Sequence, residues 1–318
     1  MGVALADVQS ARDRIGRHLR RTPLVRSPLL SRQCGVDVWL KLESLQHTGS
    51  FKPRGALHKL LTLTPEERAR GIVAASAGNH ALGVAYACQV LGVRQADLFV
   101  QANASPAKLA KLREYPVRLH VGGSSYEEAQ RAALAHARGT GASFASAYDD
   151  EAVVAGQGTC GLEILEDLEA VDAVVVPVGG GALSAGIAVA VKALKPRARV
   201  IGVNTAASPS ALLSFQRGEA LDPYDHEPTL AHGLAGGYGR IPFAVARTLI
   251  DEIVLVSEAE MRRATAALID SDQVLAEASG IVGVAAVLEG KPRGLAGRVV
   301  IVVSGGNVDS DTLRETLR

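Results

Sequence analysis

The segment LESLQHTGSFKPRGALHKL, residues 42–60, sets Lys52 between a turn and a helix start. Thr48, Gly49 and Ser50 are turn and capping types, and Pro53 suits the first turn of a helix. Ala56, Leu57, Leu60 and Leu61 then recur at helical spacing. An ammonium placed there faces the positive end of the helix dipole, and the apolar neighbour Phe51 strips water from it. Both effects favour the free amine, which is the form that attacks a carbonyl. Lys52 is therefore a candidate nucleophile or Schiff-base residue. An ordinary solvated lysine beside a helix cap would carry the same local pattern.

Three strand ends offer partners for such an amine. The run DAVVVPV, residues 172–178, leads into Gly179, Gly180, Gly181, Ala182 and Leu183 and then a helix, presenting free N–H groups to an anion such as phosphate. A tight turn with no ligand fits that cluster equally well. The spacing is not G-x-G-x-x-G, and the next strand ends in Asn204 where a ribose-binding acid is expected, which disfavours NAD. The junction IVAASAGNHALG places Ser76, Ala77, Gly78, Asn79 and His80 at a second helix start, suited to a carboxylate or an aromatic oxyanion. Taken singly, Ser76 or Asn79 reads as an N-cap and His80 as a helix-start residue. A third strand, 298–303, ends in Ser304, Gly305, Gly306 and Asn307, which brings a hydroxyl to the crevice where open α/β sheets bind ligands. An amine, a phosphate cradle, a carboxylate cradle and a hydroxyl form the set that pyridoxal phosphate requires.

Short apolar runs alternate with amphipathic segments along the chain. Strands are predicted at 72–76, 97–101, 117–121, 172–178, 200–204, 253–256 and 299–303. Helices are predicted at 80–91, 106–114, 126–137, 152–168, 183–194, 258–271 and 281–288. The class is α/β and doubly wound, with open, mostly parallel twisted sheets carrying helices on both faces. Residues 221–242, with three prolines and four glycines, read as a long active-site or interface loop. The 318 residues are 47% hydrophobic, enough for a sizeable core, and the net charge of +1 points to small-molecule partners rather than nucleic acid. Cys34, Cys88 and Cys160 have neither disulfide-framework nor zinc-ligand spacing, and no metal site is expected. Charges interrupt MGVALADVQSARDRIGRHLR, and the apolar runs fall short of the ~20 residues of a membrane span, so a cytoplasmic location is expected.

KLESLQHTGSFKPRGA, ASAGNHALGVAYA, VAGQGTCGLEI, VPVGGGALSAG, DEIVLVSEAEM and VVSGGN, in that order, resemble the fold type II pyridoxal-phosphate enzymes. Within them the chain is similar to the threonine/serine dehydratase, or ammonia-lyase, group that includes serine racemase. SFKPRG resembles the dehydratase form, whereas cysteine and threonine synthases usually place aspartate after the lysine. The resemblance implies a tryptophan synthase β-like fold. It divides the chain into a large cofactor domain, 1–64 and 149–318, and a small mobile domain, 65–148, with a homodimer as the expected assembly. It also implies that Lys52 holds pyridoxal 5'-phosphate as its Schiff base, Phe51 packs on the ring and Asn79 bonds the phenolic oxygen. Gly179, Gly180, Gly181, Ala182 and Leu183 then hold the phosphate and Ser304 faces the pyridine nitrogen. Ser76, Ala77, Gly78, Asn79 and His80 hold the substrate carboxylate.

The implied reaction is β-elimination, giving 2-oxobutanoate from L-threonine or pyruvate from L-serine, plus ammonia. Serine racemisation or dehydration of threo-3-hydroxyaspartate is the alternative within the group. Three departures from the group's pattern bear on this. Ala77 replaces the serine that racemases use as a second base. Asn204 and Ser210 replace acidic residues of a divalent-cation site. Ala231-His232-Gly233 stands where an ADG turn is usual. A C-terminal regulatory domain is not expected after SGGN.

Overall fold

The computed structural model describes residues 2–317. Ten strands run in chain order: β1 (Leu24–Arg26), β2 (Asp37–Leu42), β3 (Ile72–Ala75), β4 (Ala96–Val100), β5 (Arg118–Val121), β6 (Ser143–Phe144), β7 (Ala173–Pro177), β8 (Arg199–Thr205), β9 (Glu252–Val256) and β10 (Arg298–Val303). They form a six-stranded sheet ordered β1-β2-β10-β7-β8-β9 and a four-stranded sheet ordered β5-β4-β3-β6. All pairings are parallel except β1 with β2. The α/β class and the parallel character match the sequence pattern. AVVVP in β7 and IVAA in β3 are buried throughout, as strands covered on both faces must be.

Helices Glu151–Asp167 and Ala182–Leu194 contribute to the apolar layer on one face of the large sheet, with Val174, Val176 and Val300. Helix Ala278–Leu288 packs with Val175, Ile201 and Ile301 in a second layer. The small sheet has its own core, in which Ile72 and Leu98 meet Val84 of helix Asn79–Val90 and Leu57 and Leu60 of helix Lys52–Thr62. The Lys52 helix is thus shared. One side joins the small-sheet core, while a Cβ at Gly156 would lie 2.7 Å from the Arg54 carbonyl and 2.8 Å from Gly55 Cα. Only glycine at 156 permits that approach to helix Glu151–Asp167.

The sequence pattern missed β1, β2 and β6. β2 reads DVWLKL, and its Lys41 is fully buried, held by Glu163 Oε2 at 2.7 Å and the Thr22 carbonyl at 2.7 Å. An ion pair on a neighbouring helix hides that charge, and no local pattern announces it. β6 has two residues. Helices Leu5–Ile15, Pro28–Cys34, Pro65–Ala69, Ser210–Arg217, Arg240–Ala246 and Ser310–Thr316 also lay outside the predicted set. The stretch 221–242 is irregular except for a 3-10 turn at His232–Leu234 and the opening of helix Arg240–Ala246. Among the described residues no helix is long and apolar enough to cross a membrane.

Helices Glu151–Asp167 and Ala182–Leu194 cross so closely that a Cβ on Gly186 would overlap the Val154 carbonyl and lie 2.5 Å from Gly158 N. In an exposed helix, Gly→Ala stabilises by about 1 kcal/mol. Here the sign reverses. Gly186→Ala is expected to lower the urea unfolding free energy by roughly 2 kcal/mol through overpacking, and an increase in stability would show that the crossing is looser than described.

Candidate active site

Contacts join the carboxyl ends of β3, β7 and β10 around Lys52, in the crevice between the two sheets: Asn307 bonds Asn79 beyond β3, Phe51 bonds Ser304 at the end of β10, and Tyr148, next to the carbonyl that accepts from Lys52, lies against Gly180 beyond β7. Lys52 is the first residue of its helix, as the sequence predicts, but the cap position falls to Phe51, which gives no side-chain bond, and not to Thr48, Gly49 or Ser50. Its Nζ donates to the Ala147 carbonyl at 3.0 Å and lies 5.1 Å from the Phe51 ring centre. A Cβ at Gly83 would come 2.9 Å from the Lys52 carbonyl carbon, so helix Asn79–Val90 holds the backbone there tightly. Phe51 N donates to the Ser304 carbonyl at 3.1 Å, and Ser50 forms a bridge with Gly305. These bonds tie the lysine to the end of β10. By surface area Lys52 is half-buried on the crevice wall, but the atoms packed around its amine desolvate it. Desolvation lowers its pKa to about 8, against the opposing charge of Glu277.

Behind Lys52 the helix is anchored by charge. The Arg54 guanidinium, 1% exposed, lies 2.8 Å from Glu43 and 2.7 Å from Glu163. Lys41 shares Glu163, which leaves each buried charge facing an opposite one.

The second helix start is Asn79, preceded by Ser76, Ala77 and Gly78, as predicted. Ser76 Oγ accepts from Gly78 N at 3.1 Å, holding the turn, and the N–H groups of the first helical turn lack intrahelical acceptors. Asn79 Nδ2 donates to Glu277 Oε1 at 2.5 Å, and its Oδ1 accepts from Asn307 Nδ2 at 2.8 Å. One N–H of the Asn79 amide stays free for a ligand oxygen. His80 Nε2 lies 2.9 Å from the Ala145 carbonyl, so this nitrogen carries the proton. Burial, then the Lys52 charge, pushes the His80 pKa down to about 3, which keeps the ring neutral. Its Nε2–H is thereby committed to the backbone.

Glu277 and Asn307 complete this wall. Glu277 N donates to the Gly305 carbonyl, and burial raises the carboxyl to about 6 despite its bond from Asn79 and the nearby Lys108, Lys111 and Lys52. Sequence reasoning missed Glu277. The available signal was an acid directly ahead of the apolar helix ASGIVGVAAVL.

At the end of β7, Gly179, Gly180 and Gly181 lead into helix Ala182–Leu194 with Gly181 at φ +93°. A Cβ on Gly180 would overlap the Tyr148 ring. One on Gly181 would lie 2.5 Å from the Tyr238 ring, and one on Gly179 would lie 2.8 Å from the Gly233 carbonyl. Only glycine fits at these three positions, which leaves the loop to present backbone groups alone. Ser304, 5% exposed, closes the crevice at the end of β10. Elsewhere, Asn204 donates to the Val178 carbonyl at 2.9 Å, Ser210 Oγ is buried without a partner among the described residues, and His232 is exposed.

Only the neutral amine attacks an aldehyde. Capture of free pyridoxal by the cofactor-free chain, followed by absorbance, is therefore expected to accelerate with pH about a midpoint near 8. Glu277→Gln removes the charge that favours the ammonium and is expected to move that midpoint to lower pH. A midpoint unmoved or raised would show that Glu277 does not act on Lys52.

The family model described as pyridoxal-phosphate dependent enzyme matches residues 15–305. The chain is 44% identical over 313 residues to L-threonine ammonia-lyase of Thermotoga maritima, covering 96% of this chain and 76% of that protein. It is 40% identical over 310 residues to the catabolic L-threonine dehydratase TdcB of Escherichia coli K12, covering 96% and 94%. Among solved structures, maize serine racemase superposes with TM-score 0.93 at 29% identity, covering 100% of this chain and 97% of that one. The T.th. threonine deaminase gives 0.90 at 39%, covering 96% and 99%. The residues present fit the cofactor: a desolvated amine with its pKa lowered to about 8, three glycines at a helix N-terminus packed too closely for any side chain and so presenting only backbone N–H groups, and a serine hydroxyl at the adjoining strand end. The chain belongs to the pyridoxal-phosphate dependent enzyme family and uses pyridoxal 5'-phosphate.

Proposed function

We propose that the chain is a threonine and serine ammonia-lyase, which eliminates the β-hydroxyl of L-threonine or L-serine and releases a 2-oxo acid and ammonia. The observation that carries the reading is Lys52, a desolvated amine with a pKa of about 8 in one crevice with a glycine cradle and a free helix start. The identity to L-threonine ammonia-lyase and L-threonine dehydratase over nearly the whole chain supports this choice within the family.

Lys52, Phe51, Asn79, Gly179, Gly180, Gly181, Ala182, Leu183 and Ser304 would hold the cofactor. Pyridoxal phosphate supplies an aldehyde carbon for the substrate amine and an electron sink for the pair left at Cα. The chain's own residues supply the rest. The substrate carboxylate lies against Ser76, Ala77, Gly78, Asn79 and His80, where N–H groups and the helix dipole favour an anion. That contact fixes rotation about Cα and turns its proton toward one face. Lys52 takes this proton on Nζ, a transfer suited to an amine whose pKa of about 8 lies near neutrality. Neutral His80 pins residue 145, two positions before the carbonyl that holds Lys52. Ser304 would offer the cofactor's ring nitrogen a hydroxyl and not a carboxylate, so no charge would force that nitrogen to be protonated.

Residues 65–148 act as a small mobile unit over a large unit of 1–64 and 149–318, a division that the two separate sheets support. The assembly is a homodimer and the location cytoplasmic. The likeness to maize serine racemase favours racemisation as the second reading, but Ala77 has no proton to give to the opposite face of Cα.

Mixing the yellow holoenzyme with L-threonine is expected to shift its visible band while 2-oxobutanoate accumulates, and a shifted band without oxo acid would overturn the lyase reading. Lys52→Ala is expected to abolish the band and cut turnover at least about a hundred-fold. Ala77→Ser is expected to add slow D-serine formation, measured by chiral chromatography. D-serine formed equally well without the substitution would favour the second reading.

A further inference from the structure

Two residues that this reaction leaves idle stand directly behind the lysine. The carbonyl that accepts from Lys52 Nζ belongs to the peptide joining Ala147 to Tyr148. The Tyr148 ring lies against Gly180, filling the space a Cβ would need. Its hydroxyl donates into the Asp222 carboxylate, 3.0 Å from Oδ2 and 3.2 Å from Oδ1. Asp222 comes from the long irregular segment ahead of helix Arg240–Ala246, and its own placement is tightly set. Gly237 leaves room for the carboxylate where any side chain would overlap it, and the neighbouring Leu221 carbonyl accepts from Tyr238 N at 2.9 Å. The same segment returns to the site twice. Gly239 N donates to the Gly180 carbonyl at 3.2 Å, and Ile241 N to Asp149 Oδ1 at 2.7 Å.

Packing alone does not account for the pair. A phenylalanine ring would cover Gly180 as well, whereas a half-buried carboxylate costs desolvation unless a donor meets it. Burial raises the Asp222 carboxyl, which the bond from Tyr148 and the charge of Arg240 oppose. Burial and the Asp222 charge raise the Tyr148 phenol, so it remains the donor at neutral pH.

We propose that Tyr148 and Asp222 are positioning residues: their hydroxyl–carboxylate bond clamps the 147–148 peptide between Lys52 and the glycine loop, setting cofactor affinity and the resting place of the amine. The proposal rests on reading Gly179, Gly180 and Gly181 as the phosphate cradle. Tyr148→Phe, Asp222→Ala and the double variant, each as the full chain freed of cofactor, are titrated with pyridoxal 5'-phosphate by fluorescence. Each single variant is expected to bind roughly ten-fold more weakly, the size of one lost hydrogen bond to a charged group. The double variant is expected to be no worse than either, because both remove the same interaction. The pH midpoint for pyridoxal capture is expected to fall, since a displaced Ala147 carbonyl no longer favours the ammonium. The unfolding midpoint of the cofactor-free chain is expected to fall modestly in Tyr148→Phe, whose Asp222 carboxylate loses its donor, and less in the double variant, whereas the loss of affinity is the same in both.

Unchanged affinity, additive losses in the double variant, or affinity losses that rank with the unfolding midpoints across the three variants would each overturn the clamp. Free pyridoxal, which lacks the phosphate, serves as the separate control. If the wild-type chain bound it as tightly as pyridoxal 5'-phosphate, the cradle reading itself would fail, whereas a clear preference for the phosphate form with unchanged Tyr148→Phe affinity would sink the clamp alone.

Discussion

The hydrogen bond from Lys52 Nζ to the Ala147 carbonyl joins the first residue of one helix to the segment that leaves the small sheet. An amine held this way is desolvated, at the positive end of its helix, and has few partners that favour its charged form. Each of those facts pushes it toward the neutral state. Much of the surrounding structure compensates for the cost. The helix carrying Lys52 is pinned by Gly83 and Gly156, whose missing side chains allow backbone contact. Two residues on, Arg54 meets Glu43 and Glu163, and removing either partner would leave a buried charge uncompensated. Rigidity in the helix is what lets one carbonyl suffice as the amine's rest position.

The parts of the site legible in the sequence are those made by local backbone chemistry. Lys52 beside a proline, three glycines after an apolar strand, and Ser-Ala-Gly-Asn after another all declare a turn and a helix start within a few residues. The β-strand pattern served equally well where burial on both faces produced continuous apolar runs, as in β7 and β10. What stayed hidden depends on distant pairs. Glu277 meets Asn79 across 198 positions, Asn307 meets Asn79 across 228, and Tyr148 meets Asp222 across 74. Lys41 shows the same limit in the fold. A lysine in a strand reads as an exposed edge until Glu163, 122 positions away, is seen beside it.

Glu277 and Lys52 pull the site in opposite directions, and the balance bears on the chemistry. The carboxyl is raised to about 6 and the amine lowered to about 8, so both lie nearer neutrality than in water. Between those values the carboxylate is charged and the amine exchanges its proton readily, which is the condition a lysine needs to act alternately as nucleophile and base. A more exposed pair would hold both charges firmly and leave the amine protonated. A pair bonded directly would do the same, because a carboxylate in contact with an ammonium stabilises it. Glu277 Oε1 instead accepts from Asn79, and Lys52 Nζ donates to the Ala147 carbonyl. The Asn79 amide thus holds the carboxylate at the wall of the crevice, while the Lys52 amine rests on a carbonyl, which orients it and favours the ammonium less than a carboxylate in contact would.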